Sequence, residues 1–321
     1  MRACYENTFV DEFGLIDTFV SQFDVKPPPR GPGDDCAVIS SEGLTCVTTD
    51  AIVENVHFTR KFPLEDVGHK ALAVNLSDLA AMGARPSWFT VALGLPRNFP
   101  VKEVKQLGAG MSALARVHGA ELVGGNVTRC PVLTITITIN GQLDGQPMLR
   151  SGAREGDAIY VSGPLGNAAA AVNLSPSPRG GEGRGEGLRR TLISAQRRPS
   201  PQIAFGLAAR ELSSACIDVS DGLAQDLNHI CEASGVGADL DSSAIPLSEA
   251  LLDFSGSRAK ALRYALTGGE DYVLLLAVPN PLEFEAAMAD FSFHRIGTIR
   301  SGTGVSLDGK LMRGKLGFKH R

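Results

Sequence analysis

Six short motifs, each with a carboxylate or carboxamide beside small or hydroxyl residues, constrain this chain more than any other feature. They read Gly33-Asp34-Asp35-Cys36-Ala37, Thr48-Thr49-Asp50, Asn75-Leu76-Ser77-Asp78, Gly124-Gly125-Asn126, Asp218-Val219-Ser220-Asp221-Gly222 and Gly268-Gly269-Glu270-Asp271. Acids in such settings are expected at strand ends or turns. If the fold gathers them, their repulsion requires cations between them. The sequence therefore predicts a site where several Mg²⁺ ions hold a polyphosphate.

The overall charge excludes one class of partner. The net charge is −4 and the calculated pI is about 5.9, with no basic stripe along the sequence. A nucleic-acid partner is therefore not expected. An anionic substrate is still possible, provided that metal ions reverse the sign of the charge locally.

Membrane association and secretion are not expected either. No apolar run approaches the ~20 residues of a membrane span. Residues 1–11 include acids and lack an apolar segment, so they do not resemble a signal peptide. The six cysteines include no CxxC pair, which favours reduced thiols in a cytoplasmic protein.

The order of predicted elements indicates an α/β fold with two domains. The length alone fits two domains or one large α/β unit, and a break near Arg150 to Gly156 favours an N-terminal domain over residues 1–150 and a C-terminal α/β domain over 151–321. Residues 175–187 read SPSPRGGEGRGEG, a low-complexity charged stretch that predicts a flexible surface insertion.

Hydrophobic periodicity places the individual elements. In the first half it predicts helices over 13–23, 69–82 and 101–118, and strands over 36–40, 44–49, 88–95, 121–123 and 132–139. In the second half it predicts strands over 158–162, 215–219 and 272–278, and helices over 167–174, 201–212, 223–233 and 281–289.

Three of the acidic motifs suit a hard cation. Thr48-Thr49-Asp50 closes an apolar strand with hydroxyl and carboxylate oxygens. Asp78 lies in a helix rich in Ala and Leu, so its carboxylate needs a partner, which can be a metal, an arginine or a helix N-terminus. Asp218 and Asp221 can face a cation, while Ser220 or Asp221 can instead cap the following helix.

Two glycine-rich segments are candidates for phosphate contact. Gly124-Gly125-Asn126 follows a short strand, where glycines allow a phosphate to approach or form an ordinary tight turn. Gly163-Pro164-Leu165-Gly166 lies between a strand and a helix, where phosphates often bind, but lacks GxGxxG spacing. No GxxxxGK[ST] occurs, which excludes the commonest kinase design but not phosphoryl transfer itself.

Other polar residues are ambiguous when taken singly. Glu270 follows two glycines and precedes a core strand, which is typical of a residue that faces a cleft. His57 can support the structure or contact a phosphate. Asp34-Asp35 can be an ordinary solvated turn. No Gly-x-Ser-x-Gly hydrolase signature occurs.

Taken together, the motifs resemble those of the thiamine-monophosphate kinases. GDDCA, TTD followed by VENVHF, KALAVNLSDLAAMGA, GGNVTR, SGAREGD, DVSDGL and TGGEDY occur in that family's order, from Phe13 onward and outside residues 175–187. The resemblance implies a homodimer in which the N-terminal sheets close a barrel across two subunits and the C-terminal domain covers the site. It implies that ATP and thiamine monophosphate give ADP and thiamine diphosphate, the last step of thiamine diphosphate biosynthesis.

The resemblance also implies roles for individual residues. The implied magnesium ligands are Asp35, Thr48, Thr49, Asp50, Asp78, Asn126, Asp218 and Asp221. The implied ATP contacts are Gly125, Asn126, Arg150 and Ser220, and the implied thiamine monophosphate contacts are His57, Glu270 and Phe318. The acceptor phosphate is already a nucleophile, so no general base is expected, and Arg150 is the candidate catalytic residue.

Two positions depart from the family pattern, and other readings stay open. Asn126 stands where the family has Asp, and Val273 replaces a second acid. Selenophosphate synthetase, a hydrogenase-maturation protein and aminoimidazole ribonucleotide synthetase belong to the same superfamily. However, Cys4 lacks the first enzyme's motif, residues 319–321 lack the second's terminal Cys, and GGNVTR differs from the third's acidic motif. A catalytically inactive ATP-binding dimer is the remaining alternative.

Overall fold

A computed structural model describes residues 12–26, 43–174, 184–314 and 316–317. The predicted strand over 36–40, Asp35 and Phe318 lie outside these residues. The chain divides into two compact units. The first comprises the described parts of Met1–Asn75 and Pro86–Gln142, and the second those of Leu76–Arg85 and Leu143–Arg321. The domain boundary at residue 150 stays a prediction.

The first unit contains a four-stranded sheet with the order β1-β4-β2-β3, in which β1 pairs antiparallel with β4 and β2 parallel with β3. Within the described chain the sheet is open and forms no barrel, so the barrel across two subunits stays a prediction. The elements from the N-terminus to the end of the sheet are α1 (Glu12–Val20), β1 (Thr45–Val53), α2 (Leu64–Ala81), β2 (Arg85–Leu95), α3 (Val101–His118), β3 (Glu121–Arg129) and β4 (Thr134–Gln142).

Helix α3 has the predicted bounds, and its sequence explains why. Val104, Leu107, Met111 and Leu114 recur at helical spacing and are buried. The helix ends at Gly119, which adopts the left-handed conformation (φ 68°) and donates its amide hydrogen to the Ala115 carbonyl.

Strand β3 is longer than predicted. The predicted strand over 121–123 is confirmed as its beginning, but β3 continues through Gly124-Gly125-Asn126 to Arg129, so the predicted end of the strand and the alternative of a turn there are wrong. A Cβ atom at Gly125 would lie 2.1 Å from the carbonyl oxygen of Val91 on the paired strand β2. The close approach of two strands therefore explains this glycine without any phosphate.

The second unit contains a mixed seven-stranded sheet with the order β11-β10-β7-β9-β5-β8-β6, in which β10 and β7 pair in parallel and the other neighbouring described strands pair antiparallel. Its central strands β5 and β8 are buried throughout. The strands are β5 (Ala158–Val161), β6 (Ala215–Asp218), β7 (Gly237–Leu240), β8 (Leu274–Val278), β9 (His294–Arg300), β10 (Gly304–Leu307) and β11 (Lys310–Leu311).

Helices complete the second unit and confirm the α/β class. They are α4 (Asn167–Val172), α5 (Arg184–Arg197), α6 (Ile203–Ala209), a 3₁₀ turn (Arg210–Leu212), α7 (Leu223–Ser234), α8 (Glu249–Ser255), α9 (Arg258–Thr267) and α10 (Pro281–Ala287). Among the described helices of the whole chain, none has both the length and the apolar character for crossing a membrane.

The predicted flexible insertion over 175–187 overlaps a helix at its C-terminal end. Residues 175–183 lie outside the described structure, but residues 184–187 form the first turn of α5. Arg190 pairs with Glu186 one turn earlier at 2.7 Å, and Leu192 is buried in a cluster with residues of α4, α8 and α9. Burial of one apolar side of α5 stabilises a helix that composition alone did not indicate.

Candidate functional site

The motif Thr48-Thr49-Asp50 lies within β1 rather than at its end, because the strand continues to Val53. Side chains alternate along a strand, so Thr48 and Asp50 share one face and Thr49 is on the other. The Thr49 hydroxyl donates to the Ile137 carbonyl at 2.9 Å and lies 3.0 Å from the Thr138 hydroxyl. Thr48 and Asp50 are therefore the pair that can act together.

Helix α2 fixes the backbone at Asp50. The Asp50 amide donates to Oδ1 of Asn75 at 3.0 Å, and Nδ2 of Asn75 donates to the Ala71 carbonyl at 2.9 Å. Asn75 is fully buried. Asn75 belongs to a predicted motif, but no role was predicted for it; its position three residues before Asp78 was the available signal.

Within the second unit, the same helix supports a second predicted ligand. The hydroxyl of Ser77 donates to Oδ2 of Asp218 at 2.7 Å, and both side chains are buried. Asp218 is the last residue of β6. A buried carboxylate needs compensation, and Ser77 provides part of it. This support of Asp218 by Ser77 was not predicted from the sequence.

Asp78 lies in the last turn of α2, which excludes the helix N-terminus as its partner. The C-terminal end of a helix carries partial negative charge, which disfavours an acid unless a cation is near. The last turn of α2 contains no basic residue. This position is consistent with the predicted magnesium ligand.

The loop after β6 is organised by the carboxylate of Asp226, for which no role was predicted. Oδ2 of Asp226 accepts the amides of Asp221 and Gly222, both at 3.0 Å. Burial raises the pKa of Asp226 to about 7. The N-cap residue of α7 is Gly222, and no side chain caps this helix. The capping alternative for Ser220 and Asp221 is therefore wrong.

Near the same loop, three potential metal-binding side chains converge. One ligand atom each of Asp221, Asp226 and His229 lies within 4.8 Å of the others. Oδ2 of Asp221 also accepts a hydrogen bond from Nε2 of Gln225 at 2.9 Å. The loop thus holds Asp221 through neighbours on α7.

Two predicted motifs meet through their backbones. The Glu270 amide donates to the Ser220 carbonyl at 2.8 Å, and the Tyr272 amide donates to the Val219 carbonyl at 2.9 Å. Glu270 has φ 61°, a left-handed conformation that is uncommon for residues other than glycine. The fold therefore brings Ser220 and Glu270 together.

The carboxylate of Asp271 binds the segment that ends at Gly166, where phosphate contact was considered. Its Oδ2 accepts the Gly166 amide at 2.7 Å, and its carboxylate also accepts the amides of Asn167 and Ala168. The first amides of α4 are therefore bound by the chain's own carboxylate rather than left for a ligand. Burial raises the pKa of Asp271 to about 7.

The remaining candidates are less closely connected. Nδ1 of His57 accepts the Val53 amide at 3.0 Å, a contact that supports the structural alternative. Arg150 is exposed, and its carbonyl accepts a hydrogen bond from Ser234 at 3.2 Å. Gly125 and Asn126 are exposed on β3. Asp35 and Phe318 lie outside the described residues.

The donor atoms fit a hard divalent cation. Within the first unit the structure groups Thr48 with Asp50. Within the second it groups Ser220, Asp221 and Glu270, and places Asp218 at the start of the same loop. Carboxylate and hydroxyl oxygens are the ligands that Mg²⁺ prefers. The local observation that suits such an ion is the buried carboxylate of Asp218, which accepts the Ser77 hydroxyl on one oxygen.

Comparisons with known proteins identify relatives of this chain. Residues 33–143 match the AIR synthase related protein, N-terminal domain, and residues 154–310 match its C-terminal domain. The thiamine-monophosphate kinase of Salmonella typhimurium is 41% identical over 279 residues, 84% of this chain and 83% of that protein.

Solved structures show the same similarity. The crystal structure of thiamine-monophosphate kinase from Stenotrophomonas maltophilia K279a has a TM-score of 0.81 and 37% identity, covering 93% of this chain and 96% of that one. AaThiL, solved in complex with AMPPCP and TMP, has a TM-score of 0.79 and 32% identity, covering 97% of each chain.

Proposed function

Because the chain belongs to the thiamine-monophosphate kinase family, we propose that it transfers the terminal phosphoryl group of ATP to thiamine monophosphate, giving ADP and thiamine diphosphate. The observation that carries the proposal is the similarity, over nearly the whole chain, to AaThiL solved with AMPPCP and TMP. The grouping of predicted ligand residues within each unit supports it.

The proposed magnesium ligands are Thr48, Asp50, Asp78, Asp218 and Asp221 among the described residues, with Thr49 and Asn126 as further candidates and Asp35 outside them. Bound magnesium would neutralise the charge that opposes the approach of two phosphates. The buried carboxylate of Asp218 and the position of Asp78 in the last turn of α2 support this assignment, since a bound cation stabilises an acid in either setting.

The protein's own contribution is proposed to be positioning. The acceptor phosphate carries the attacking oxygen and is ionised at neutral pH, so no side chain has to remove a proton. Gly125, Asn126, Ser220 and Arg150 are proposed to contact ATP. A bound geometry in which donor and acceptor phosphates are in line supplies much of the acceleration.

The acceptor is proposed to contact His57, Glu270 and Phe318. The left-handed backbone at Glu270 is held by the hydrogen bond that its amide donates to the Ser220 carbonyl. This contact supports a functional reason for the conformation. The His57 ring already accepts the Val53 amide, so we expect any contact with the acceptor to come through its other nitrogen.

We further propose a cytoplasmic homodimer. In the described chain β1 and β3 are the edges of the first sheet, and Val47 on β1 is 64% exposed. Edge strands with exposed apolar side chains are suited to pairing with another chain. The described cysteines are free thiols, in keeping with a reducing compartment. Light scattering coupled to size exclusion tests the dimer; a monomer with full activity would contradict it.

The activity is tested with purified full-length protein, Mg²⁺, ATP and thiamine monophosphate, with products separated by chromatography. We expect thiamine diphosphate and ADP in equal amounts, and no phosphorylated product when thiamine replaces the monophosphate. An ATP-binding protein that forms no thiamine diphosphate would overturn the proposed reaction and favour the inactive alternative.

A further inference from the structure

A contact between Gln225 and the C-terminal segment points to a residue that none of the predicted roles includes. Gln225 lies in the first turn of α7, four residues after Asp221. Its side-chain amide donates to Oδ2 of Asp221 at 2.9 Å. One oxygen of a proposed magnesium ligand is therefore oriented by an uncharged donor.

The C-terminal segment reaches the same pair of residues. Gly317 is buried, and a Cβ atom placed there would lie 2.6 Å from both the Asp221 carbonyl oxygen and Cβ of Gln225. The same atom would lie 2.8 Å from Oε1 of Gln225. Real Cβ atoms do not approach backbone this closely, so the contact depends on glycine at position 317.

From these contacts we infer that Gln225 is a positioning residue, which the C-terminal segment holds through Gly317 and which in turn orients the Asp221 carboxylate. The inference rests on the proposed function, because it takes Asp221 as a magnesium ligand. It adds a physical link between the segment that precedes Phe318, a proposed acceptor contact, and the metal-binding side of the site.

The arrangement has a specific chemical consequence. A carboxylate that accepts a hydrogen bond on one oxygen has a fixed plane, so its second oxygen is presented to a cation in one direction. Loss of the donor leaves the carboxylate free to rotate. A shift of Gly317 would move Gln225 and have the same effect, and because Gly317 directly precedes Phe318, a proposed acceptor contact, we expect a change at Gly317 to affect magnesium and acceptor binding together.

The test compares Gln225→Met, which keeps length and removes the donor, with Gly317→Ala. Calorimetric titration of Mg²⁺ in the presence of AMPPCP measures metal affinity without turnover. We expect both variants to weaken magnesium binding about 10-fold or more, the usual effect of losing a partner of a metal ligand. In the activity assay, Gly317→Ala should also raise the KM for thiamine monophosphate more than that for ATP.

Two matched controls accompany these variants. Asn228→Leu removes an amide on the same helix that donates to Glu232, and Gly187→Ala adds a methyl group where no atom lies within 4 Å. Both should bind magnesium like the original chain. The two test variants change the two partners of the contact between Gln225 and Gly317. If one variant fails to fold, the other therefore still tests the positioning role of Gln225.

The outcomes separate this inference from the proposed function. Weaker magnesium binding in both test variants, with melting temperatures close to the original, supports the positioning role. Unchanged magnesium affinity in either folded variant overturns it. If the original chain binds Mg²⁺ and AMPPCP but makes no thiamine diphosphate, the proposed function fails while the calorimetric comparison still tests Gln225.

Discussion

The two groups of predicted ligands are held in different ways. The strand motif, Thr48-Thr49-Asp50, lies inside β1 and is fixed by an antiparallel ladder with β4 that continues on both sides of it. The loop motif, Asp218 to Gly222, follows β6 and is held by side-chain hydrogen bonds: Ser77 and Gln225 each donate one to it, and Asp226 accepts two of its backbone amides.

This difference predicts unequal tolerance to mutation. A β-ladder is redundant, so the loss of one side chain leaves the backbone of the strand motif in place. The loop motif is supported by individual side-chain hydrogen bonds, and removal of one of them weakens the support of a buried or oriented carboxylate. Supporting residues should therefore matter more around the loop than along the strand.

The largest effect is expected for Asp218→Asn. It removes a buried charge that we propose binds magnesium, and a metal ion contributes several kcal/mol to stabilising the transition state. We expect the rate of thiamine diphosphate formation to fall about 1,000-fold, with a melting temperature near the original. Thr49→Val on the strand is the comparison and should lose much less. Near-normal activity of the Asp218 variant would contradict its role.

Asp271→Asn should change how stability depends on pH. Burial raises the pKa of Asp271 from the ordinary value of 3.8 to about 7 in the folded protein. Between these values the folded state holds a proton that the unfolded state releases, so the free energy of unfolding falls as pH rises through this range. In the Asp271→Asn variant, the difference in the free energy of unfolding between pH 5 and pH 8 should be smaller by about 2 kcal/mol or more.

Denaturant titrations at both pH values measure this difference. Asp241→Asn is the matched control, since hydrogen bonds from Ser243 lower the pKa of that exposed carboxylate. Its stabilisation is present above the ordinary pKa and is lost only as pH falls through the lowered value, so it should not alter the change between pH 5 and pH 8. If the free energy of unfolding changed equally between pH 5 and pH 8 in Asp271→Asn and in the original chain, the raised pKa of Asp271 would be contradicted.

Ser77→Ala tests the support of the loop motif. Loss of the hydroxyl leaves buried Asp218 without this donor, which should lower the free energy of unfolding by about 1–3 kcal/mol. Mg²⁺ with AMPPCP should restore part of the loss if a cation replaces the donor. Ser255 is a useful control, because its buried hydroxyl has no hydrogen-bond partner among the described residues and its removal should cost little.

The smallest effect is expected on the strand side, for Asn126→Asp. Asn126 is exposed on β3, so a new charge there is screened by solvent. One unit charge about 4 Å from a cation in water contributes about 1 kcal/mol. The Mg²⁺ concentration for half-maximal activity should therefore fall about fivefold. An unchanged magnesium requirement would remove Asn126 from the proposed ligands.

Long periodic segments were predictable from the sequence. The α/β class and helix α3 follow from local spacing of apolar residues and from a glycine at the helix end. The length of β3 was not, because Gly124-Gly125 resembles a turn locally and belongs to a strand only through its contact with Val91. The short strands β7 and β10 also pair with each other from distant positions in the chain, whereas β10 and β11 form a two-residue hairpin around Asp308-Gly309, a local signal that the predictions did not use.

By itself, the sequence determined which side chains have the chemistry to bind a cation, because that chemistry belongs to the residue type and its immediate neighbours. Only the tertiary structure decided which polar residues support the others. Ser77 and Asp218 are 141 residues apart, and Gly166 and Asp271 are 105 apart. No local pattern encodes such pairs, since each carboxylate gains its partner only when the core has packed and excluded water from it.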